Sequence, residues 1–339
     1  MKASLVSKVI ILLCIFCLIA GFIGIDKEKP YVKNVNNQKS TGTKSLITNA
    51  NKIGVIELQG AIASSYESNL FSKEANAPSL LKSLISAQTD NEIKGVIIKI
   101  NSPGGTVAMS QNIYNQIMKL KTKKPVVVVF DDVAASGGYY IACAADRIIA
   151  QEGSLTGSIG VIMSFMDYHN LLANKLAINP VVIKSGKYKD MGSSMRAITN
   201  EEKELMQDII NDSYSQFVNA IEQGRVLRAD NYSVAKTELT TENLKNYADG
   251  RIFTGRQAQK LGFVDALGDV DTATTMIEKM AQEKFNNKLP AKLVNYNKRN
   301  TFSEYFTSFA EYNAKSAIQI TDFIPTSMIL SRKPLYLWE

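Results

Sequence analysis

Residues 124–146, "KPVVVVFDDVAASGGYYIACAAD", decide the fold. Their apolar, β-branched beginning at 124–132 predicts a buried strand, and the small and aromatic residues that follow predict a helix. Ser136 lies at the junction, immediately before two glycines. A serine at such a junction is more often a helix cap than a nucleophile, so this stretch alone supports both interpretations.

A second strand of the same kind precedes it in the chain. The run "IKGVIIKI" (93–100) predicts a buried strand that ends in "NSPGG" (101–105), and a helix is predicted over 107–121. The alternation of strands and helices predicts an α/β domain with mainly parallel pairing. Because ligands of such domains bind at the carboxyl ends of the strands, the two glycine turns indicate a site. Further predicted elements are strands at 52–62 and 147–151, a strand that runs into a loop over 178–190, and helices at 78–88, 199–221 and 270–283.

The glycines of both turns offer backbone hydrogen-bond donors. The N–H of Gly137 would lie at the start of a helix, and a second N–H would come from Gly104 or Gly105. Together they would form an oxyanion hole beside the hydroxyl of Ser136. A tight turn before a helix explains either glycine pair by itself, so each motif is weak alone.

A serine nucleophile needs a base that accepts its proton. The chain has one histidine, His169, and its neighbours "MDYHNLL" show no arrangement typical of a catalytic triad. A lysine serves instead when its pKa is lowered enough to leave it neutral. The segment "VVIKSGKYKD" (181–190) offers Lys184, Lys187 and Lys189, and the residues alone do not choose among them.

The N-terminal segment predicts a membrane anchor. Val9 to Ile25 are 17 uncharged, mostly apolar residues, enough for about 26 Å of helix. No typical signal-peptidase site follows, because the next residues are "DKEKP", and we therefore expect an uncleaved anchor over 1–25 and a polar linker over 26–51. A lone N-terminal anchor of this kind ordinarily leaves the body of the protein outside the cytoplasm.

Composition argues against two other classes of site. The net charge is +7, but residues 1–52 hold eight lysines and two acidic residues, so the remaining chain carries only about +1 and nucleic-acid binding is not expected. The three cysteines, Cys14, Cys17 and Cys143, form neither a disulfide framework nor a zinc motif with histidine. No cofactor or metal is expected.

Five motifs occur in a fixed order and together resemble the signal peptide peptidase A family of membrane-bound serine proteases. The resemblance covers about residues 52–283 and extends to the wider fold group of the Clp protease subunit and the crotonases. The motifs are "INSPGGTV" (100–107), "VAASGGYYIACAAD" (133–146), "TGSIGVI" (156–162), "KSGKYKDMGSSMR" (184–196) and "GRIFTGRQAQKLGFVD" (250–265).

The resemblance implies a role for each of five residues. Ser136 corresponds to the nucleophile and Lys189 to the general base of a Ser-Lys dyad. Ser158 corresponds to the serine that positions the lysine, and Gly105 and Gly137 correspond to the oxyanion donors. The family also implies a Clp protease/crotonase-like fold with repeated β-β-α units and a homo-oligomeric ring whose sites lie between protomers.

The sequence therefore predicts a single-pass protein of the cell membrane with an extracytoplasmic protease domain at 52–283 and a C-terminal extension at 284–339. Its expected substrates are signal peptide remnants and other hydrophobic exported peptides. Three alternatives stay open: a catalytically inactive scaffold of the same fold, a crotonase-like acyl-CoA enzyme, and a membrane protease that cuts specific partners.

Overall fold

A mainly parallel β-sheet organises the protein, seen here in a computed structural model that describes residues 50–64, 75–227 and 238–297 and the backbone of 335–337. The chain divides into two units, Met1–Thr48 and Asn49–Glu339, and the described residues all belong to the second. The predicted anchor and nearly all of the predicted linker lie outside the described residues. Within the described ranges, no helix combines the length and apolarity needed to cross a bilayer.

Ten strands occur in the described residues, eight of them in one sheet. The order along that sheet is β7-β6-β4-β2-β1-β9, and β5 pairs with both β4 and β8. Every pairing in it is parallel except that of β6 with β7. The strands are β1 (Asn51–Gln59), β2 (Ile93–Ser102), β3 (Gly104–Thr106), β4 (Val126–Ala135), β5 (Arg147–Ala150), β6 (Leu155–Gly157), β7 (Ile252–Thr254), β8 (Ala266–Leu267), β9 (Ala291–Asn295) and β10 (Leu335–Leu337).

Helices cover both faces of the sheet. They are α1 (Ala77–Thr89), α2 (Val107–Lys123), α3 (Gly137–Ala142), α4 (His169–Lys175), α5 (Asn200–Ile221), a π-helix (Glu222–Val226), α6 (Leu244–Tyr247), α7 (Gly255–Leu261) and α8 (Val270–Lys284). The predicted α/β class is confirmed, since strands and helices alternate and the sheet is mainly parallel.

Alternate residues of the central strands face two separate apolar clusters. Ile97 and Val127 pack with Ile277 of α8 on one face. Ile98 and Val128 belong to the larger cluster on the other face, which includes buried residues of α1 and α2. Burial on both sides explains why β2 and β4 read as continuous apolar runs rather than as alternating patterns.

One predicted strand is wrong. Residues 178–184 form no strand in the structure, and their apolar side chains face solvent, with Val181 87% and Ile183 98% exposed. A β-branched run becomes a strand only when a neighbouring strand pairs with it, and within the described part of this chain none does.

The predicted C-terminal extension contributes two strands. β9 pairs in parallel with β1 at the sheet edge. β10 pairs antiparallel with β3, and Tyr336 stands opposite Gly105 in that register. Residues 335–337 thus lie against the first glycine turn.

Candidate active site

Ser136 occupies a strained turn between β4 and α3. Its backbone has φ 52° and ψ −117°, a positive φ that non-glycine residues rarely adopt. The Ser136 carbonyl starts the helix by accepting from the N–H of Tyr140 at 2.8 Å. Its side chain makes no capping hydrogen bond, so the helix-cap interpretation fails for this residue.

The hydroxyl of Ser136 is fully buried and has no hydrogen-bond partner among the described residues. An unpaired buried hydroxyl costs about 1–3 kcal/mol. Strain and a missing partner in one residue are typical of functional sites, where a reacting molecule supplies the contact.

A second strained serine lies beside it. Ser158 follows β6, has φ 47° and is 6% exposed. The preceding residue, Gly157, accepts a 2.9 Å hydrogen bond from the N–H of Ser136 at its carbonyl. The register of β4 and β6, with Ala135 opposite Gly157, brings the two serines to the same edge of the sheet.

The glycine turn after β2 lies on the other side of Ser136. Ser102 stands opposite Ala134 in the register of β2 and β4, so both predicted turns follow neighbouring strands at the same end of the sheet. A Cβ placed on Gly138 would lie 3.1 Å from the carbonyl oxygen of Ser102, which shows how closely α3 approaches this turn.

The backbone N–H of Gly105 points away from the segment that contains Ile62. The N–H of Thr106 donates to the carbonyl of Ile62, and the N–H of Ile62 donates to the carbonyl of Gly104, both at 2.7 Å. Because successive residues of a strand point their polar groups to opposite sides, the N–H of Gly105 points toward the edge that β10 occupies.

The three candidate lysines differ in their partners. Lys184 donates to a carboxylate oxygen of Asp190 at 2.6 Å, and Lys187 forms an ion pair with Glu201. Hydrogen bonding to Glu201 raises the pKa of Lys187, which disfavours it as a base. Lys189 is exposed and makes no ion pair with any described residue.

Ion pairs that the sequence did not predict bind the loop that carries Lys189 to α5. Asp190 accepts hydrogen bonds from the Nε and Nη2 of Arg196 at 2.9 and 2.8 Å. Arg196 also donates to both carboxylate oxygens of Glu202 in the first turn of α5. The capping box of Thr199 and Glu202 was a visible signal for the helix start, but the bridge to Asp190 crosses residues with no regular spacing.

His169 takes no part in this arrangement. Its Nδ1 lies 2.5 Å from a carboxylate oxygen of Asp167, and both side chains are on the surface. Among the described residues, no group of His, Cys, Asp and Glu side chains has the geometry of a metal site.

The structure therefore brings four of the five predicted site residues to one edge of the sheet: Gly105, Ser136, Gly137 and Ser158. The fifth, Lys189, lies on an exposed loop, and Ser136 accepts no hydrogen bond from it within this chain. Such an arrangement supplies a hydroxyl and backbone donors, which suits acyl transfer, but no base among the described residues touches the hydroxyl.

Comparisons with known proteins agree with that chemistry. The model of Peptidase family S49 matches residues 118–284, and the Clp protease model matches residues 67–153. A protein of Enterococcus faecium provisionally named signal peptide peptidase SppA is 35% identical over 284 residues, which span 79% of this chain and 77% of that protein. The chloroplastic serine protease SPPA of Arabidopsis thaliana is 30% identical over 79% of this chain and 38% of its own length.

Solved structures show more distant likeness. A ClpP1 variant from Listeria monocytogenes has a TM-score of 0.39 at 18% identity, covering 63% of this chain and 91% of that one. A variant of the membrane-bound stomatin-specific protease 1510-N has a TM-score of 0.43 at 16% identity, covering 73% of this chain and 98% of that one. The Enterococcus relative is more than 30% identical over more than two thirds of both proteins, and the chain therefore belongs to peptidase family S49 and is a serine-type peptidase.

Proposed function

We propose that the chain is a membrane-anchored endopeptidase that uses Ser136 and Lys189 as a catalytic dyad. The observation that carries this proposal is the Ser136 hydroxyl, which is buried, unpaired among the described residues and held at a positive φ. The turn after β2 supports it, because Ser102 stands opposite Ala134 in the register of β2 and β4, and the turn therefore lies next to the one that carries the hydroxyl.

The reaction is acyl transfer. Neutral Lys189 accepts the proton of Ser136, whose oxygen attacks a peptide carbonyl, and the N–H groups of Gly105 and Gly137 bind the oxyanion. The protonated lysine gives its proton to the leaving amine, and water then hydrolyses the acyl-enzyme with the same lysine as base. Ser158, beside Ser136 at this edge, positions the lysine.

The lysine comes from a neighbouring copy of the chain. Two features support this: Lys189 is exposed and without an ion-pair partner among the described residues, and the apolar residues just before its loop face solvent. An exposed stretch that includes Val181 and Ile183 is typical of an interface between protomers. A closed ring of identical protomers, each lending its lysine to the next, would complete every site.

Mixing two inactive variants of the full chain tests the shared site. Ser136→Ala and Lys189→Ala are each expected to be inactive, and mixed subunits are expected to regain about a quarter of wild-type activity, since each half of a site is intact half of the time. Activity that stays absent in mixed oligomers would show that each chain supplies both residues itself.

The proposed substrates are signal peptide remnants and other apolar exported peptides. The resemblance to the peptidases of this family and the names of the relatives support this class. A panel of peptides that differ only in apolar content tests it, and faster cleavage of the apolar members is the expected result. A serine-directed reagent that labels wild type but not Ser136→Ala would exclude an inactive scaffold.

The body of the protein lies outside the cytoplasm, tethered by the apolar run Val9–Ile25. This proposal rests on the length of the run and on the polar residues that follow it. Alkaline extraction of membranes is expected to leave the full chain in the pellet, and an external protease is expected to degrade the body in spheroplasts. Release of the chain into the supernatant would contradict the anchor.

A further inference from the structure

We propose that Arg196 is a positioning residue that binds Asp190 and thereby withholds its carboxylate from Lys189, so that the lysine is free to act as a base. The inference rests on the proposed function and adds a residue to it. Its basis is the position of Asp190, directly next to the proposed base in the chain.

A carboxylate beside a catalytic lysine is harmful to the reaction. An ion pair stabilises the ammonium form of lysine and raises its pKa, whereas a general base must be neutral. Asp190 is the acidic residue next to Lys189 in the chain, and a flexible lysine side chain reaches an adjacent carboxylate easily. Other cations must therefore bind the carboxylate of Asp190 if Lys189 is to lose its proton near neutral pH.

Arg196 and Lys184 occupy both oxygens of that carboxylate. Oδ1 of Asp190 accepts from Lys184 Nζ at 2.6 Å and from Arg196 Nη2 at 2.8 Å, and Oδ2 accepts from Arg196 Nε at 2.9 Å. The Asp190 side chain is only 12% exposed. These bonds hold the pKa of Asp190 well below its usual range, so its negative charge persists but stays satisfied by these two cations.

Glu202 holds Arg196 in place. The Nη1 and Nη2 of Arg196 donate to Glu202 Oε2 and Oε1 at 2.9 and 2.5 Å, and Glu202 is 3% exposed in the capping box of α5. Arg196 is thus fixed at both ends by carboxylates. A guanidinium suits this task because its planar fork can bond two carboxylates at once, which a single ammonium cannot.

Other charges around the loop are paired elsewhere. On the loop itself, Lys187 and Tyr188 bond to Glu201 of α5. The segment before α4 packs on the loop through a 2.7 Å bond from the N–H of Tyr168 to the carbonyl of Ser194, and its titratable pair, Asp167 and His169, bond to each other. Among the described residues of this loop, Asp190 is therefore the carboxylate that lies next to Lys189 in the chain and would be released to it.

The acid limb of the pH dependence of kcat/KM measures this effect, because it reports the pKa of the free enzyme's base. In Arg196→Gln, Asp190 keeps only its bond to Lys184 and can pair with Lys189. We therefore expect the acid limb to shift toward higher pH by roughly one unit. In the double variant Asp190→Asn with Arg196→Gln, the limb is expected to return toward the wild-type position.

Lys187→Gln is the matched control. It removes one positive charge from the same loop without touching Asp190, and the acid limb of this variant should stay close to that of wild type.

A purely structural role for Arg196 predicts something else. Arg196→Gln would then lower the rate equally at all pH values, and Asp190→Asn would not restore it; this result would overturn the inference. An equal shift in Lys187→Gln would also overturn it, since general loss of positive charge would explain both.

Folding and the dyad itself are checked separately. If Arg196→Gln fails to melt cooperatively, Asp190→Asn gives the same test alone: it should cleave peptide with an unshifted or lower acid limb, and its inactivity would contradict the inference. Activity in Ser136→Ala or Lys189→Ala would instead refute the proposed function, so the two failures are distinguishable.

Discussion

The backbone N–H of Ser136 donates a 2.9 Å hydrogen bond to the carbonyl of Gly157. This bond joins the turn after β4 to the turn that carries Ser158, and both serines have a positive φ. Two strained turns bonded to each other hold the candidate nucleophile by backbone geometry alone. Its side chain is left free for chemistry.

Ser136→Ala is expected to lower peptide cleavage by about 10⁴-fold or more while leaving the fold intact. Because the wild-type hydroxyl is buried without a partner among the described residues, its loss should not reduce the melting temperature. Cleavage assays and thermal unfolding monitored by circular dichroism measure the two effects. Lys189→Ala should be equally inactive and Lys187→Ala active; the reverse pattern would assign the base to Lys187.

Gly105→Ala is expected to destabilise the protein. A Cβ at this position would lie 2.0 Å from the carbonyl oxygen of Ile62, so the backbone of β3 must move. Gly153→Ala is the matched control, because nothing lies within 4 Å of a Cβ there, and it should be neutral. Equal melting temperatures for both variants would contradict the close approach at Gly105.

Removing residues 335–339 is expected to lower the KM for peptide substrates. β10 pairs with the edge of β3 toward which the Gly105 donor points, and an extended peptide would need the same edge. Tyr336→Pro removes a backbone donor from that pairing and should act like the deletion, whereas Tyr336→Ala keeps the donor. Unchanged KM values in the deletion would mean that substrates bind elsewhere.

Arg225→Met is expected to cost about 3–5 kcal/mol of unfolding free energy. The guanidinium of Arg225 lies 2.9 Å from a carboxylate oxygen of Asp265, and both side chains are at most 3% exposed. Removing one partner leaves the other charge buried. Urea unfolding measures the loss, and Arg256→Met, at an exposed pair with Glu152, should change stability by less than about 1 kcal/mol.

The bridge between Asp190, Arg196 and Glu202 should stabilise the fold in a pH-dependent way. Both carboxyl groups have a pKa lowered by Arg196, so the unfolded chain binds their protons more readily than the folded one. Their stabilisation is complete above the ordinary carboxyl pKa of about 4 and is lost as the pH falls below it. The melting-temperature difference between wild type and Arg196→Gln should therefore shrink on acidification from pH 6 to pH 3; a constant difference would contradict the bridge.

Residue patterns predicted the centre of the fold well. The runs at 93–100 and 124–132 form β2 and β4, and the helices predicted at 78–88 and 107–121 occur with ends shifted by at most two residues. These elements are locally determined, because apolar runs and helical periodicity reflect burial on the sheet and its faces. The adjacency of the two glycine turns followed from strand order.

Long-range contacts could not be predicted in the same way. No local pattern pairs β10 with β3, since that register joins residues more than 200 positions apart. Residues 178–184 have the composition of a strand but lack a neighbour to pair with in the described chain. The bond from Arg196 to Asp190 depends on the path of an irregular loop, which composition does not determine.

The close packing at Gly105 has a consequence for how this site can be studied. Its proposed donor belongs to a peptide group, and an alanine scan would record the residue as one needed for folding, because any side chain collides with Ile62. Ordinary mutagenesis therefore cannot separate the proposed catalytic contribution of this N–H from the steric requirement for glycine. Replacing the amide of Gly105 by an ester through semisynthesis would remove the N–H hydrogen and keep the shape of the backbone. The energy of the proposed oxyanion contact can therefore be measured by changing the backbone, but not by changing the side chain.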